Sequence, residues 1–73
     1  MKLRPDFEVA YMNRGVAYCK MGEYGRGIDD FSTAIRLEPN DISAYNNRGN
    51  AYNKLGKYEL AEKDWGMVRQ LSK

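Results

Sequence analysis

The sequence repeats itself with a period of 34 residues, and this periodicity limits the possible folds more than any other feature. The tripeptide Asn-Arg-Gly at residues 13–15 returns at residues 47–49, and the register continues without a gap. Such a period is typical of arrays in which each unit is one supersecondary structure. The other identical pairs are Leu3/Leu37, Pro5/Pro39, Ala10/Ala44, Tyr11/Tyr45, Ala17/Ala51, Tyr18/Tyr52, Lys20/Lys54, Gly22/Gly56, Tyr24/Tyr58, Asp30/Asp64 and Leu37/Leu71.

Each unit contains two stretches with helical spacing of apolar and small residues. In the first unit they cover residues 8–21 and about 25–37. Gly22 predicts a left-handed end to the first helix, and Pro39 ends the second. Asp41 can then cap the following helix through its side chain. The second unit repeats this order, with helices predicted at 42–55 and 59–71 and a break at Gly56.

The sequence therefore predicts an all-α fold of two helix-turn-helix repeats in a single domain. Repeat one covers about residues 8–41 and repeat two about residues 42–73, while residues 1–7 repeat the tail of a preceding unit. A chain of 73 residues is too short for more than one small domain.

The pattern of large and small side chains predicts how the two helices of a unit pack against each other. Gly15 and Ala17 leave room for Phe31, and Gly49 and Ala51 leave room for Trp65. Gly25 and Gly27 cost about 1 kcal/mol each inside a helix. They indicate either fraying at the start of that helix or a close contact with Tyr18.

The aromatic and small residues at these positions resemble the signature of the tetratricopeptide repeat family. The resemblance implies a short right-handed α-solenoid segment, and the 34-residue period favours this family over RNA-reading helical repeats of 35 residues. The residues that carry it, and that should form the repeat core, are Tyr11, Gly15, Tyr18, Gly22, Tyr24, Phe31 and Ala34 in repeat one and Tyr45, Gly49, Tyr52, Gly56, Tyr58, Ala61 and Trp65 in repeat two. Pro39 matches the signature as well.

Two arginines depart from the family pattern, which has leucine at their positions. Arg14 and Arg48 are each followed by an acid at the same later position, Asp30 or Asp64. We expect an ion pair between the antiparallel helices of each repeat. The alternative is a solvated guanidinium whose stem covers tyrosine rings.

The resemblance implies that the first helices of successive repeats line a concave groove. One half of this groove is apolar and adaptable, and the other offers asparagine amides that suit the backbone of an extended peptide. The alternative for the asparagines is a soluble helix face, and for the apolar residues it is packing against a neighbour. The predicted groove residues are Val9, Met12, Asn13, Val16 and Lys20 with Ser43, Asn46, Asn47, Asn50, Asn53 and Lys54, and Cys19 shares the face.

The predicted partner is a protein or peptide, bound by a scaffold or adaptor. Some family members grip a carboxylate with lysines and arginines in the groove, but here only Lys20 and Lys54 fall near it, so we do not expect that clamp. At the end of repeat two, Glu62 and Arg69 replace Ile28 and Ile35, which predicts a cap. Since two repeats are few for independent stability, a homo-oligomer or repeat-swapped dimer is the alternative.

Composition argues against other classes of function. The 12 basic and 10 acidic residues nearly balance, so we expect no nucleic-acid or membrane partner, and a mean hydropathy of −0.77 predicts no membrane span. Without histidine and with Cys19 as the single cysteine, we expect no disulfide, metal site, cofactor or catalytic site. The Gly22–Gly27 segment only superficially matches a phosphate-binding loop, since no strand precedes it. No small-molecule substrate and a cytoplasmic setting follow as default expectations.

Overall fold

The computed structural model of the chain describes the backbone of residues 4–73 and the side chains of residues 7–73. It contains four helices, and no strand occurs within residues 4–73. The all-α fold of two helix-turn-helix repeats is confirmed. The helices are α1 (Arg4–Lys20), α2 (Tyr24–Leu37), α3 (Ile42–Lys54) and α4 (Tyr58–Leu71).

Helix α1 begins earlier than the sequence predicts. Residues 4–7, which the sequence likens to the tail of a preceding unit, belong to this helix. Proline fits there because the N–H groups of the first helical turn have no partner within the helix, so losing one costs nothing. Leu3, on which part of that expectation rested, lies outside the described residues.

The predicted helix ends are confirmed at both glycines. Gly22 and Gly56 have φ values of 84° and 80°, in the region that favours glycine over other residues. The amide of Glu23 donates to the carbonyl of Tyr18 at 2.8 Å, which closes the last turn of α1. Asp41 caps α3 as predicted, because its side chain accepts a hydrogen bond from the Ser43 amide at 3.0 Å.

Large side chains fill the space left by small ones between the helices of each repeat. A Cβ atom placed on Gly15 would lie 2.6 Å from Cε1 of Phe31. One placed on Gly49 would lie 2.7 Å from Nε1 of Trp65. Both distances are shorter than any ordinary carbon contact, so glycine is required at these two positions. The predicted packing of Phe31 and Trp65 onto the glycines is confirmed.

Gly27 makes a close contact, but its neighbour is not the predicted Tyr18. A Cβ atom on Gly27 would lie 2.5 Å from Sγ of Cys19 and 2.9 Å from the carbonyl oxygen of Gly15. In repeat two the corresponding residue is Ala61, which is fully buried. The thiol of Cys19 therefore occupies, in repeat one, the space that a methyl group fills in repeat two. Gly25 has no atom within 4 Å of its missing Cβ and makes no close contact.

Each repeat is locked by the ion pair that its sequence predicts. Nε and Nη2 of Arg14 donate to the two carboxylate oxygens of Asp30 at 2.8 and 2.9 Å. Arg48 makes the same bidentate contact with Asp64 at 2.8 Å for both bonds. Both aspartates are buried, and hydrogen bonding to them raises the pKa of each arginine above its usual value.

The alternative interpretation of these arginines is only partly correct, because each guanidinium is paired rather than solvated but also lies over tyrosine rings. The guanidinium carbon of Arg14 lies 5.8 Å from the ring centre of Tyr11 and 5.7 Å from that of Tyr18. Arg48 lies equally close to the two corresponding tyrosines of repeat two. Each guanidinium thus pairs with a carboxylate along its edge and covers two aromatic rings.

Helix α2 packs against both α1 and α3, so the two repeats share one continuous interior. Equivalent residues of α1 and α3 consequently differ in burial. Ala44 and Ala51 are covered, at 0 and 2% exposure. Ala10 and Ala17 are exposed, because no helix of the described chain covers that side of α1. Ala17, expected beside Phe31, therefore lies at the surface.

Tyr58 is an exception to the predicted repeat core, because 65% of its surface is exposed. Its counterpart Tyr24 is half-buried, at the start of α2 and beside the two first helices. No further first helix follows α4 within the described chain, so nothing covers the ring of Tyr58. Burial of this tyrosine depends on a neighbour rather than on its own repeat.

Candidate binding groove

A depression runs between α1 and α3, on the side where the first helices of the two repeats lie next to each other. Its walls come from residues spaced three or four apart on each helix, which places them on one face. The lining residues are Val16, Cys19 and Lys20 of α1, Tyr24 of α2, and Asn47, Asn50, Ala51 and Lys54 of α3.

The structure brings together five residues of the predicted groove. Val16 and Lys20 form one wall, while Asn47, Asn50 and Lys54 form the other. The apolar side therefore faces the amide side across the depression. The two lysines lie at the C-terminal ends of their helices, where positive charge is favourable next to the helix dipole.

The remaining predicted residues do not line this depression. Val9 lines a second depression at the opposite end of α1. Asn13, Ser43, Asn46 and Asn53 are exposed, and Met12 is half-buried.

Besides Cys19, which shares the predicted face, two lining residues lie outside the predicted groove set. Tyr24 was predicted in the repeat core, but its ring lies where α2 meets the groove. The contrast with the exposed Tyr58 shows that this position packs toward the first helix of the next repeat. Ala51 was predicted only as room for Trp65. No signal within a single repeat separates these positions from ordinary core residues.

The depression offers polar groups that are able to bind a ligand. Within residues 7–73 the amides of Asn47 and Asn50 take part in no hydrogen bond, so they are free for a ligand. Burial raises the pKa of the Cys19 thiol, which lowers the fraction of nucleophilic thiolate. Among the side chains of residues 7–73 no cluster of acids and cysteine is able to hold a metal ion.

The second depression, at the start of α3, is acidic. It is lined by Glu8 and Val9 of α1 and by Glu38, Asn40 and Asp41 of the connection to α3. Glu8 is only 7% exposed. A hydrogen bond with the Asp41 side chain, burial, and the charges of Asp41 and Glu38 together raise the pKa of Glu8 to about 7. Glu8 was not among the predicted site residues.

The sequence profile of the TPR repeat matches residues 15–56, and that of the tetratricopeptide repeat matches residues 42–72. The chain belongs to the tetratricopeptide repeat family. A search of curated protein sequences gave no significant match. In the part of this TPR chain that the structure describes, no helix is both long and apolar enough to cross a membrane.

Two solved structures of TPR proteins share the fold. The first TPR of Spaghetti (RPAP3), bound to the HSP90 peptide SRMEEVD, superposes with a TM-score of 0.88 at 27% identity. MamA superposes with a TM-score of 0.88 at 29% identity. Each match covers 90% of this TPR chain, which spans 52 and 39% of the length of those two structures.

Proposed function

We propose that this TPR chain is a protein-protein interaction module that holds an extended segment of a partner in the depression between α1 and α3. The observation that carries the proposal is the pair of free amides, Asn47 and Asn50, facing an apolar wall. The similarity to a TPR structure with a bound peptide supports the same class of ligand. We assign the module a scaffold or adaptor role and no catalytic one.

An extended peptide fits this arrangement better than a helix. A side-chain amide both donates and accepts a hydrogen bond, so it pairs with the free N–H and C=O groups of an extended backbone. A helix satisfies those groups internally and would leave the asparagines without partners. The apolar wall at Val16 takes a small aliphatic side chain of the same segment.

The positions of two lysines in the structure bear on the charge of the bound segment. Lys20 and Lys54 both line the depression, so two ammonium groups face the same space. We therefore favour a segment with an acidic side chain or a carboxylate at this end. The sequence alone argues against a carboxylate clamp, because Lys20 and Lys54 are the only basic residues near the predicted groove.

Selection from a random peptide display library tests the proposal. The chain should enrich a family of related peptides, and combined Asn47→Ala and Asn50→Ala substitutions should weaken their binding at least tenfold, since two bonded amides contribute about 1 kcal/mol each. Gln70→Ala removes an exposed amide from α4 and is the matched control. If the double asparagine variant and Gln70→Ala bind the peptides equally well, the depression between α1 and α3 is not the binding site.

Self-association is the second candidate, and the outer face of α1 supports it. This face carries the exposed Phe7, Ala10 and Ala17, while the equivalent side of α3 is covered by α2. A helix of another copy is therefore the natural cover. Light scattering over a hundredfold concentration range tests this candidate, which predicts a dimer that Phe7→Glu disrupts. A monomer at all concentrations would contradict it.

A further inference from the structure

An acidic side chain is buried at the end of the groove opposite the lysines. Oε2 of Glu8 is inaccessible to solvent, and no N–H or O–H group of residues 7–73 donates a hydrogen bond to it. The carboxyl group of Asp41 lies within hydrogen-bonding reach of that of Glu8, and Glu38 adds a further negative charge. Three acids thus line one depression, and the buried Oε2 of Glu8 has no hydrogen-bond donor among the described side chains.

The fold of the repeat does not require this carboxyl group. The residue equivalent to Glu8 in repeat two is Ile42, which is also partly buried. An aliphatic side chain therefore satisfies the packing at this position of the TPR unit. Burial of a carboxyl group where an apolar one suffices costs free energy unless a positive group compensates it.

We propose that the depression formed by Glu8, Glu38 and Asp41 binds the ammonium or guanidinium group of a lysine or arginine side chain in the segment that occupies the groove. This inference rests on the function proposed above and adds a charge requirement to it. A metal ion is not the proposed ligand, because the acids of residues 7–73 form no cluster with the geometry to hold one.

The position of the acidic depression also sets the length of the ligand. Val9 and Val16 lie seven residues apart on α1 and therefore share a face, so the two depressions lie along one track. Glu8 and Lys20 are twelve residues apart, which corresponds to about 18 Å along the helix. An extended peptide covers this distance with about five residues. The bound segment thus carries a basic and an acidic residue about five positions apart.

A proton and a cation compete for the acidic depression. The pKa of Glu8 is raised to about 7, so a proton occupies its carboxyl group for about half of the time at neutral pH. The facing charged groups are Asp41 and Glu38, both from the connection between α2 and α3. A bound ammonium group replaces the proton, so its affinity should rise about tenfold from pH 6 to pH 8.

The test uses two acetylated and amidated hexapeptides, KSASAE and QSASAE, titrated into ¹⁵N-labelled chain at pH 6 and pH 8. The lysine of KSASAE and the glutamate of both peptides keep their charge over this range. We expect KSASAE to shift the amides of Val9 and Asn40 and to bind about tenfold more tightly at pH 8. QSASAE should show no pH dependence.

Glu8→Ile is the decisive variant, because isoleucine is the residue that repeat two uses at this position. It should fold, and it should lose both the preference for KSASAE and its pH dependence. Arg4→Gln is the control, because Arg4 lies one helical turn before Glu8 and is a positive charge of the chain itself. This variant should keep both the preference for KSASAE and its pH dependence.

Equal affinity and equal pH profiles for the two peptides, with shifts at Asn47 and Asn50, would overturn this inference and leave the proposed groove intact. Retention of the lysine preference by Glu8→Ile would overturn it as well. If neither peptide shifts any groove amide, both this inference and the proposed function fail.

Discussion

Replacing Gly49 with alanine should destabilise the chain, although alanine is the better helix former. A Cβ atom at this position would lie 2.7 Å from Nε1 and 2.9 Å from Cδ1 of Trp65, and 3.2 Å from Cβ of Asp64. The indole ring or the whole of α4 must move by several tenths of an ångström to restore normal contacts. Such overpacking costs about 1–3 kcal/mol.

Gly66→Ala is the matched control within the same repeat. Gly66 lies inside α4, and its missing Cβ meets only Nη2 of Arg69 at 3.7 Å, an ordinary contact. This variant should gain the full helix propensity of alanine, about 1 kcal/mol. Because both substitutions gain that propensity, the difference between their free energies of unfolding isolates the packing cost at Gly49, about 1–3 kcal/mol.

Urea unfolding followed by circular dichroism measures both variants at one protein concentration. In a chain of this size 1 kcal/mol corresponds to a change of about 4–8 °C in Tm, so thermal unfolding provides a second readout. We expect Gly66→Ala to have a higher free energy of unfolding than the wild type. The free energy of unfolding of Gly49→Ala should be lower than that of Gly66→Ala by the packing cost given above. If the two variants are equally stable, α3 and α4 do not pack as closely at Trp65 as the structure indicates.

Three further predictions concern the buried charges and the Cys19 contact. Arg48→Ala leaves the buried carboxylate of Asp64 unpaired and should lower the free energy of unfolding by about 3–5 kcal/mol in urea titrations. Arg14→Ala should have a smaller effect, because the Arg14 side chain is 60% exposed and that of Arg48 only 20%. The pKa of Glu8 is raised from 4.5 to about 7, so its stabilising contribution is complete below pH 4.5 and is lost as the pH rises through 7. The free energy of unfolding should therefore fall by up to about 3 kcal/mol between pH 5 and pH 8, as measured by chemical unfolding, and Glu8→Ile should abolish this decrease. An equal decrease in that variant would show that Glu8 is not the titrating group. Gly27→Ala should destabilise the wild type more than it destabilises a Cys19→Ala background, with a coupling energy of about 0.5–3 kcal/mol, and additive effects would contradict the contact.

Features that depend on one repeat alone could be predicted from the sequence. The positive φ of Gly22 and Gly56 follows from a glycine at the end of each first helix, and the Asp41 cap follows from its place before α3. The Arg14 and Arg48 ion pairs were predictable because the same combination of residues occurs twice at one spacing. The glycine and the Arg–Asp patterns each occur twice, and this repetition supports the two interpretations.

Features that depend on neighbours of a repeat could not be predicted in the same way. Ala17 and Ala51 are identical in sequence, but only Ala51 is covered, because α2 lies over α3 and no described helix lies over the same side of α1. Tyr24 and Tyr58 differ for a similar reason. The burial of Glu8 depends on the connection between α2 and α3, and no equivalent connection follows α4 within the described chain.

The site was only partly predictable because a helix face is broader than a depression. Helical spacing placed Asn46, Asn47, Asn50 and Asn53 on one side of α3. The position of α1 decides which of these line the depression, and only Asn47 and Asn50 do. That position depends on close packing through α2, which residue spacing within α3 does not encode.

The location of a bound peptide tests the central claim most directly. A peptide enriched from the display library should be titrated into ¹⁵N-labelled chain, and its effect mapped residue by residue. We expect the largest shifts at Val16, Lys20, Asn47 and Asn50. Shifts confined to the exposed surface of α4, around Tyr58 and Leu60, would contradict the account.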